Sequence, residues 1–268
     1  MPDNFKVTPG ARASSVILHV PHASRTIPDD VRARMVATDD QLTAELDTIT
    51  DTGTDGIAAD AARHARTRPW VLTNRLSRLV IDPERFPDER EELNSVGRGA
   101  VYTRLCTGEP LRGPGWTPED DSMLMDRWYW PYADAMTQLT RETMSAAGGV
   151  ATILDVHSYP AERGTYEVHR GPRPEVCIGT DSTHTPDWLA SAAIRVFTEA
   201  GFTVDTNTPF SGCYIPLPYY GNPQVRGLMV EVRKDVYLAD RGRSALLGYC
   251  VADLVNAAQE GEEGVSRL

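Results

Sequence analysis

Short apolar runs alternate along the chain with longer stretches in which apolar residues recur at helical spacing. The runs are rich in β-branched residues and stop at polar, Pro or Gly positions, which is typical of buried strands. They predict strands at residues 15–20, 70–73, 79–82, 150–156, 175–179, 202–205 and 227–232. The longer stretches predict helices that begin near residue 29 and cover 39–65, 117–147, 186–200 and 241–259.

This order of elements predicts the fold class. Strands separated by helices form a mostly parallel or mixed central sheet with helices on both faces, so we expect an α/β protein. The length fits a single domain over residues 1–268. Residues 83–118 are rich in Pro, Gly and charge without a regular period, which indicates an irregular insertion or a lid. Residues 1–14 have no periodic pattern and predict a frayed terminus.

Composition and charge exclude several classes of function. The apolar fraction of 41% is that of a globular protein, and the net charge of −11 comes without a basic stripe, which argues against nucleic acid as a partner. No apolar stretch approaches the ~18 residues of a membrane span, so we expect no membrane partner. The four cysteines form no C-x-x-C pair and no signal peptide precedes them, which together predict reduced thiols and a cytoplasmic protein.

Three predicted strands end in, or carry, side chains suited to metal-dependent hydrolysis. His22 follows the first strand, His157 follows the strand over 150–156, and Glu231 lies inside the last strand. Ligands of open α/β sheets bind beyond the carboxyl ends of the strands, where two imidazoles and a carboxylate would hold Zn²⁺ and leave a position for water. Glu231 is the candidate general base, because a partly buried Glu has a raised pKa. A salt bridge from Glu231 to an arginine such as Arg78 or one at position 233 is the alternative.

The carboxylate ligand has more than one candidate. Asp51 and Asp55 are four residues apart, which would put both on one face of a helix start. Asp55 is the favoured ligand, and capping of the helix is the alternative role for Asp51. Asp155 lies two residues before His157 and faces the same side of its strand, where it could orient a ring or bind through water. We therefore expect Asp155 as a second catalytic residue.

Six segments, read together, resemble the N-formylglutamate amidohydrolase family. They are VPHASRTIP at 20–28, TDTGTD at 50–55, SRLVIDPERF at 77–86, DVHS at 155–158, FSGCYIP with YYGNP at 210–223, and VEVRKD at 230–235. Each motif is weak alone, but the ordered set is specific and covers most of the chain. The resemblance implies a zinc-dependent amidase with a phosphorylase/hydrolase-like α/β fold, distantly similar to zinc carboxypeptidases. It implies His22, Asp55 and His157 as metal ligands and Glu231 as the general base.

The chain departs from this family pattern at two places that concern the substrate. The usual D-x-N-R reads Asp82-Pro83-Glu84-Arg85, so that Glu84 stands in place of an Asn. The loop at 212–218 lacks the expected substrate-side Arg. The additional acidic residue and the missing Arg both argue against a dicarboxylate such as formylglutamate as the substrate.

Other arginines remain as candidate contacts for a substrate carboxylate. Arg78, Arg85 and Arg163 could each offer a bidentate fork to such a group. Pairing with neighbouring carboxylates is the alternative for Arg78 and Arg85. Tyr214 is expected to line the mouth of the pocket, with packing as its alternative role.

Three functional hypotheses are compatible with these residues. The favoured one is hydrolysis of the amide of an N-acyl amino acid, N-formyl amino acids included, by zinc-activated water. The second is a zinc carboxypeptidase-like peptidase, and the third is a non-catalytic metal-binding member of the family. Serine hydrolase, kinase and dinucleotide-binding functions are disfavoured, because no G-x-S-x-G, Walker A or G-x-G-x-x-G motif occurs. The expected partner is a small molecule with an amide and a carboxylate, and the sequence leaves the oligomeric state open.

Overall fold

The computed structural model describes residues 4–164 and 171–261. Within these ranges, strands form one mixed sheet in the order β1-β3-β2-β4-β7-β5-β6. The strands are β1 (Phe5–Thr8), β2 (Val16–Val20), β3 (Trp70–Asn74), β4 (Ala151–Tyr159), β5 (Val176–Gly179), β6 (Val204–Thr206) and β7 (Val225–Arg233). Strands β3, β2, β4 and β7 run parallel, whereas β1 and β5 pair antiparallel with β3 and β7. The prediction of a single α/β domain with a mixed sheet is confirmed.

Helices cover both faces of this sheet. They are α1 (Asp29–Arg32), α2 (Asp39–Ile49), α3 (Thr54–His64), α4 (Pro118–Leu124), α5 (Trp130–Ala146), α6 (Asp187–Glu199) and α7 (Arg241–Glu260). Helices α3, α6 and α7 share one hydrophobic cluster with strand residues such as Leu18 and Leu154. The neighbouring strand residues Ile17 and Ile153 pack on the opposite face, against Tyr132 of α5. Because side chains alternate across a sheet, β2 and β4 are buried on both faces.

Two predictions about strands are wrong. The apolar run at 79–82 is buried but irregular, and the N–H of Asp82 donates to the carbonyl of Ala100 rather than to a sheet neighbour. The run fills a separate hydrophobic cluster together with apolar residues of segment 83–118. Periodicity cannot separate such a buried turn from a short buried strand. Residues 1–14, expected to fray, include β1, which is held by pairing with β3.

Two predicted helices are interrupted. The helix predicted over 39–65 is split into α2 and α3 by a turn that ends at Gly53, whose φ of 85° favours glycine. The helix predicted over 117–147 contains a π-helical turn at Met125–Tyr129, between α4 and α5. Pro131 follows that turn. Because proline lacks the N–H that an α-helical turn would use, the wider turn accommodates the missing bond.

A buried ion pair anchors the irregular segment 83–118 to α2. Glu45 and Arg98 have side chains that are each 3% exposed, and Nη1 of Arg98 lies 2.9 Å from Oε1 of Glu45. The same carboxylate accepts a hydrogen bond from the N–H of Cys106 at 2.8 Å, and the guanidinium lies over the ring of Tyr102. Replacing either Glu45 or Arg98 alone would leave the other charge buried without its partner, so the two ends of this contact depend on each other.

The close approach of α3 and α7 depends on a glycine. A Cβ on Gly248 of α7 would lie 2.7 Å from Cβ of Asp60 in α3, whereas a Cβ on Gly56 of α3 would meet nothing within 4 Å. We expect Gly248→Ala to lower the free energy of unfolding by about 1–3 kcal/mol through overpacking. The control Gly56→Ala should raise it by about 0.5–1 kcal/mol, because alanine favours a helix. Urea denaturation measures both values, and equal stabilities would contradict the close packing.

Candidate functional site

Four polar side chains share one face of the central strands. His19 and Asp155 are register partners across β2 and β4, and His157 and Glu231 are partners across β4 and β7. Residues two apart on a strand face the same side, so all four lie on the face that α5 covers. His22 lies two residues after Val20, the last residue of β2. The topology therefore brings residues from distant parts of the chain to one edge of the sheet.

His22, Asp51 and His157 bring three potential ligand atoms together. The Nδ1 atoms of the two histidines are 3.4 Å apart. Oδ2 of Asp51 lies 2.9 Å from Nδ1 of His157 and 3.7 Å from Nδ1 of His22. All three residues are buried. Their ligand atoms lie within 4.8 Å of one another, so a single cation could contact all three.

Asp51, and not Asp55, lies beside the imidazoles. The choice of Asp55 assumed that both residues share a helical face, but α3 begins only at Thr54, after the turn at Gly53. The N–H of Asp51 donates to the carbonyl of His22 at 2.9 Å, which holds Asp51 next to the site. Asp55 is exposed in the first turn of α3. The structure thus separates the two aspartates that the sequence grouped together.

The second ring nitrogen of each of these histidines faces another carboxylate. Nε2 of His22 donates to Oδ1 of Asp82 at 2.8 Å, and Oδ2 of Asp82 accepts from the hydroxyl of Tyr102 at 2.9 Å. Nε2 of His157 lies 3.2 Å from Oε1 of Glu84. A carboxylate on the outer nitrogen orients each ring so that its Nδ1 faces the space between the rings, where Nδ1 of His157 is hydrogen-bonded to Asp51.

Glu84 is turned toward the histidines. Its Oε1 also lies 3.5 Å from Nδ1 of His19, and its Oε2 lies 3.4 Å from Nδ1 of His22. Burial opposes ionisation of this group, but the neighbouring His157 and His22 lower the pKa of Glu84 to about 2. Both oxygens of Glu84 therefore face imidazoles, and the effect of its charge on a dicarboxylate substrate stays a prediction.

Glu231 is a buried carboxylate with an unsatisfied oxygen. It is 8% exposed, and its Oε2 has no hydrogen-bond partner within the described part of the chain. Burial raises the pKa of Glu231 to about 7. The arginines considered as its salt-bridge partners are engaged elsewhere, Arg233 with Asp235 and Arg78 with Asp51. A carboxylate in this state can accept a proton from a neighbouring molecule.

A second buried network connects His19 to the loop that lines the site. Nδ1 of His19 donates to Oδ1 of Asp155 at 2.8 Å, and its Nε2 accepts from the hydroxyl of Tyr132 at 2.7 Å. Oδ2 of Asp155 accepts from the backbone N–H of Tyr214 at 2.6 Å. The ring of Tyr214 lies against His19, with ring centroids 4.6 Å apart. Asp155, predicted as a catalytic residue, thus accepts hydrogen bonds from His19 and from the loop that carries Tyr214.

Sequence reasoning missed His19, Tyr132 and Tyr102. The only local signal for His19 is a histidine inside an otherwise apolar strand, a polar group that must find partners when buried. Its partners lie 136 and 113 residues further along the chain. Tyr102 lies in the irregular segment, where no periodic pattern indicates which side chains are buried.

The cluster opens into a cavity of about 530 Å³, a size typical of small-molecule sites. Arg78, Arg85 and Tyr214, all predicted to contact substrate, line its wall. The Nε atoms of Arg78 and Arg85 are buried without a hydrogen-bond partner among the described residues, so each retains a donor for an anion. Arg163 is exposed and lies outside this wall, where it donates to the carbonyl of Gly171.

Comparison with protein families matches residues 14–238 to the model of N-formylglutamate amidohydrolase. The chain belongs to the N-formylglutamate amidohydrolase family. Among solved structures it is similar to the N-formylglutamate amidohydrolase from Ralstonia eutropha JMP134, with 22% identity, a TM-score of 0.78 and 98% of each chain covered. A gene product from Agrobacterium tumefaciens shares 21% identity and a TM-score of 0.70, covering 97% of this chain and 96% of that one. Both likenesses show a common fold. No curated protein matches.

Membership of the N-formylglutamate amidohydrolase family supports an enzyme that hydrolyses an amide. The matched range contains the buried cluster of His22, Asp51 and His157, and also Glu231. The resemblance drawn from the sequence motifs is confirmed. Among the helices that the structure describes, none has the length and apolar character needed to cross a bilayer.

The two bonds of the Asp155 carboxylate need two acceptor oxygens. Because asparagine offers one, we expect Asp155→Asn to lose a bond to His19 or Tyr214 and to lower the free energy of unfolding by about 1–3 kcal/mol. Asp134→Asn on the exposed side of α5 is the charge-matched control and should change stability by less than about 0.5 kcal/mol. Urea denaturation gives both values. Identical midpoints for the two variants would contradict the role assigned to Asp155.

Proposed function

We propose that this chain is a zinc-dependent amidohydrolase that cleaves the amide of an N-acyl amino acid, with N-formyl amino acids as the first candidates. The observation that carries the proposal is the convergence of two imidazole nitrogens and one carboxylate beside the unpaired carboxylate of Glu231. Membership of the N-formylglutamate amidohydrolase family supports the amide as the bond that is broken.

The donor set fits a divalent cation. Nδ1 of His22, Nδ1 of His157 and a carboxylate oxygen of Asp51 would hold it, and these ligand types suit zinc. The outer nitrogens of both rings already face carboxylates, so a cation would take the place of the hydrogen bond between Nδ1 of His157 and Asp51. When bound, Zn²⁺ supplies a Lewis-acidic centre that lowers the pKa of a water ligand to about 7.

Glu231 is the proposed proton carrier. Its Oε2 is buried, lines the cavity and lacks a protein partner among the described residues, so it can accept a proton from the attacking water. The same carboxyl group can then deliver that proton to the leaving nitrogen of the cleaved amide. Burial, which raises its pKa to about 7, suits a group that must both take up and release a proton near neutrality.

Arg78 and Arg85 are the proposed contacts for the substrate carboxylate. Both line the cavity, and the Nε–H of each makes no hydrogen bond within the described residues, although Nε of Arg85 lies 3.6 Å from Oδ2 of Asp82. A guanidinium recognises a carboxylate through paired hydrogen bonds, which fixes the orientation of the substrate. Tyr214 contributes apolar ring surface to the wall.

The four free cysteine thiols support a reducing, cytoplasmic location.

Removal of metal and removal of the proton carrier should have separable effects. We expect chelation to abolish hydrolysis of N-formyl amino acids and added zinc to restore it. Glu231→Gln should keep stoichiometric zinc and lower kcat by about 10²–10⁴-fold, because it removes general base catalysis while leaving the ligands in place. Zinc content by atomic absorption and steady-state kinetics on the same samples test both statements.

Three outcomes would count against this function. Full activity after exhaustive metal removal would exclude a metal-dependent reaction. Faster cleavage of short unblocked peptides than of N-acyl amino acids, measured as kcat/KM on a matched panel, would favour the carboxypeptidase-like alternative. Stoichiometric zinc without hydrolysis of either panel would favour a non-catalytic metal-binding protein.

The assignment of Asp51 as a ligand can be tested against its neighbour. We expect Asp51→Asn to weaken zinc binding by more than about 100-fold, since even the loss of an outer partner costs 10–100-fold. Asp55→Asn removes the same charge from an exposed position of the same segment and should leave zinc affinity within about twofold. Competition with a chromogenic chelator measures both constants. Equal losses would show that the effect is one of net charge rather than coordination.

A further inference from the structure

Glu84 is a carboxylate of the cluster that the proposed reaction leaves without a role. Its side chain is 17% exposed, and its two oxygens face different histidines. Oε1 lies 3.2 Å from Nε2 of His157, and Oε2 lies 3.4 Å from Nδ1 of His22. The first contact is with an outer ring nitrogen, whereas the second is with the nitrogen that faces the candidate cation.

The backbone fixes this arrangement. The N–H of Glu84 donates to Oδ1 of Asp82 at 3.2 Å, and the same oxygen accepts from Nε2 of His22. Asp82 therefore accepts hydrogen bonds from both the ring of His22 and the backbone N–H of Glu84, which holds these two residues next to each other. Asp82 itself has no oxygen to spare, because its Oδ2 accepts from the hydroxyl of Tyr102.

We propose that Glu84 is a fourth protein ligand of the cation, with Oε2 bound beside Nδ1 of His22 and Oε1 accepting from Nε2–H of His157. This inference rests on the proposed function, since it concerns the same metal. It adds a second carboxylate to the set of His22, Asp51 and His157. Two neutral imidazoles and two carboxylates give a ligand set whose charge balances that of a divalent ion.

The charge balance has two physical consequences. A neutral assembly is easier to bury than one with a net positive charge, so Glu84 should strengthen metal binding. Zinc sites with four protein ligands are closed, whereas catalytic sites keep a position for water. Glu84 must therefore share the cation with water in an expanded coordination, or give way when substrate enters the cavity.

Two groups of potential ligand atoms include Glu84, and neither offers an equivalent site. In the group with His22 and Asp82, Nε2 of His22 already donates to Asp82, whose other oxygen accepts from Tyr102. His19 and Asp155 lie close to Oε1 of Glu84, but both ring nitrogens of His19 are engaged, by Asp155 and by Tyr132. The oxygens of Asp155 are engaged by His19 and by the backbone of Tyr214. In this structure Glu84 shares a ligand group with His22 but not with Asp51 and His157, so its carboxylate would have to move toward the cation to complete the set.

The test compares Glu84→Gln with Glu92→Gln. Glu92 is exposed and lines the same cavity, so its variant removes an equal charge from the same opening. Zinc affinity is measured for both variants and the parent chain by competition with a chromogenic chelator. We expect Glu84→Gln to weaken zinc binding at least tenfold and Glu92→Gln to leave it within about twofold. Circular dichroism verifies that each variant is folded.

A zinc-soaked crystal of the parent chain provides the second measurement. An oxygen of Glu84 within about 2.0–2.2 Å of zinc supports the proposal. A distance beyond 3 Å, or unchanged zinc affinity of Glu84→Gln, overturns it while leaving the hydrolase function intact if the parent is active with zinc. Failure of the parent to bind zinc overturns both. Should Glu84→Gln not fold, Glu84→Asp keeps the charge but shortens the reach, and the same tenfold loss is expected.

Discussion

The burial of ionised carboxylates is the constraint on which this structure depends. Asp51, Asp82 and Glu84 are withdrawn from bulk water, and an isolated buried charge costs several kcal/mol. Imidazoles of His22 and His157 lie between these groups and supply the hydrogen bonds that compensate them. The cluster is therefore stable only as a unit, in which each member needs its neighbours. A divalent cation would add to this compensation at the point where the Nδ1 atoms converge.

The arrangement of the buried polar cluster depends on the pairing of the strands in the sheet. His157 and Glu231 are adjacent because β4 and β7 pair in parallel with these residues in register. A slip of one residue would turn Glu231 to the opposite face, toward α3 and α7. The apolar residues that alternate with them, such as Val156 and Val230, pack in the cluster on that other face. The hydrophobic core thus fixes the register, and the register fixes the distance between the acid and the imidazoles.

The parts of the site that could be predicted from the sequence are those with a local signal. An apolar run that ends in a histidine indicates both the strand and the edge of the sheet, which is why His22 and His157 could be named with Glu231. The aspartate could not be chosen, because the choice depends on where α3 begins, and that is set by the left-handed turn at Gly53. The partners of His19 could not be named either, since they depend on long-range packing.

The fold shows the same division between local and long-range information. Alternating strands and helices fixed the α/β class, whereas the apolar run at 79–82 looked like a strand and is a buried turn. Burial explains its composition, but its backbone bonds are set by segment 83–118, which has no periodic signal. Glu84 is an example of a residue whose contacts depend on long-range packing. Its presence was evident, but only the folded chain reveals that its oxygens face histidines.

The buried pair of Glu45 and Arg98 limits how the cavity exchanges its contents. Swinging segment 83–118 outward as a flap would separate this pair and would also break the hydrogen bond from the N–H of Cys106 to Glu45. Away from this pair, the cavity is bordered by Phe86 and the half-exposed Tyr220. The centroids of these two rings lie 5.7 Å apart. Both rings line the cavity, so a solute that enters on this side must pass them.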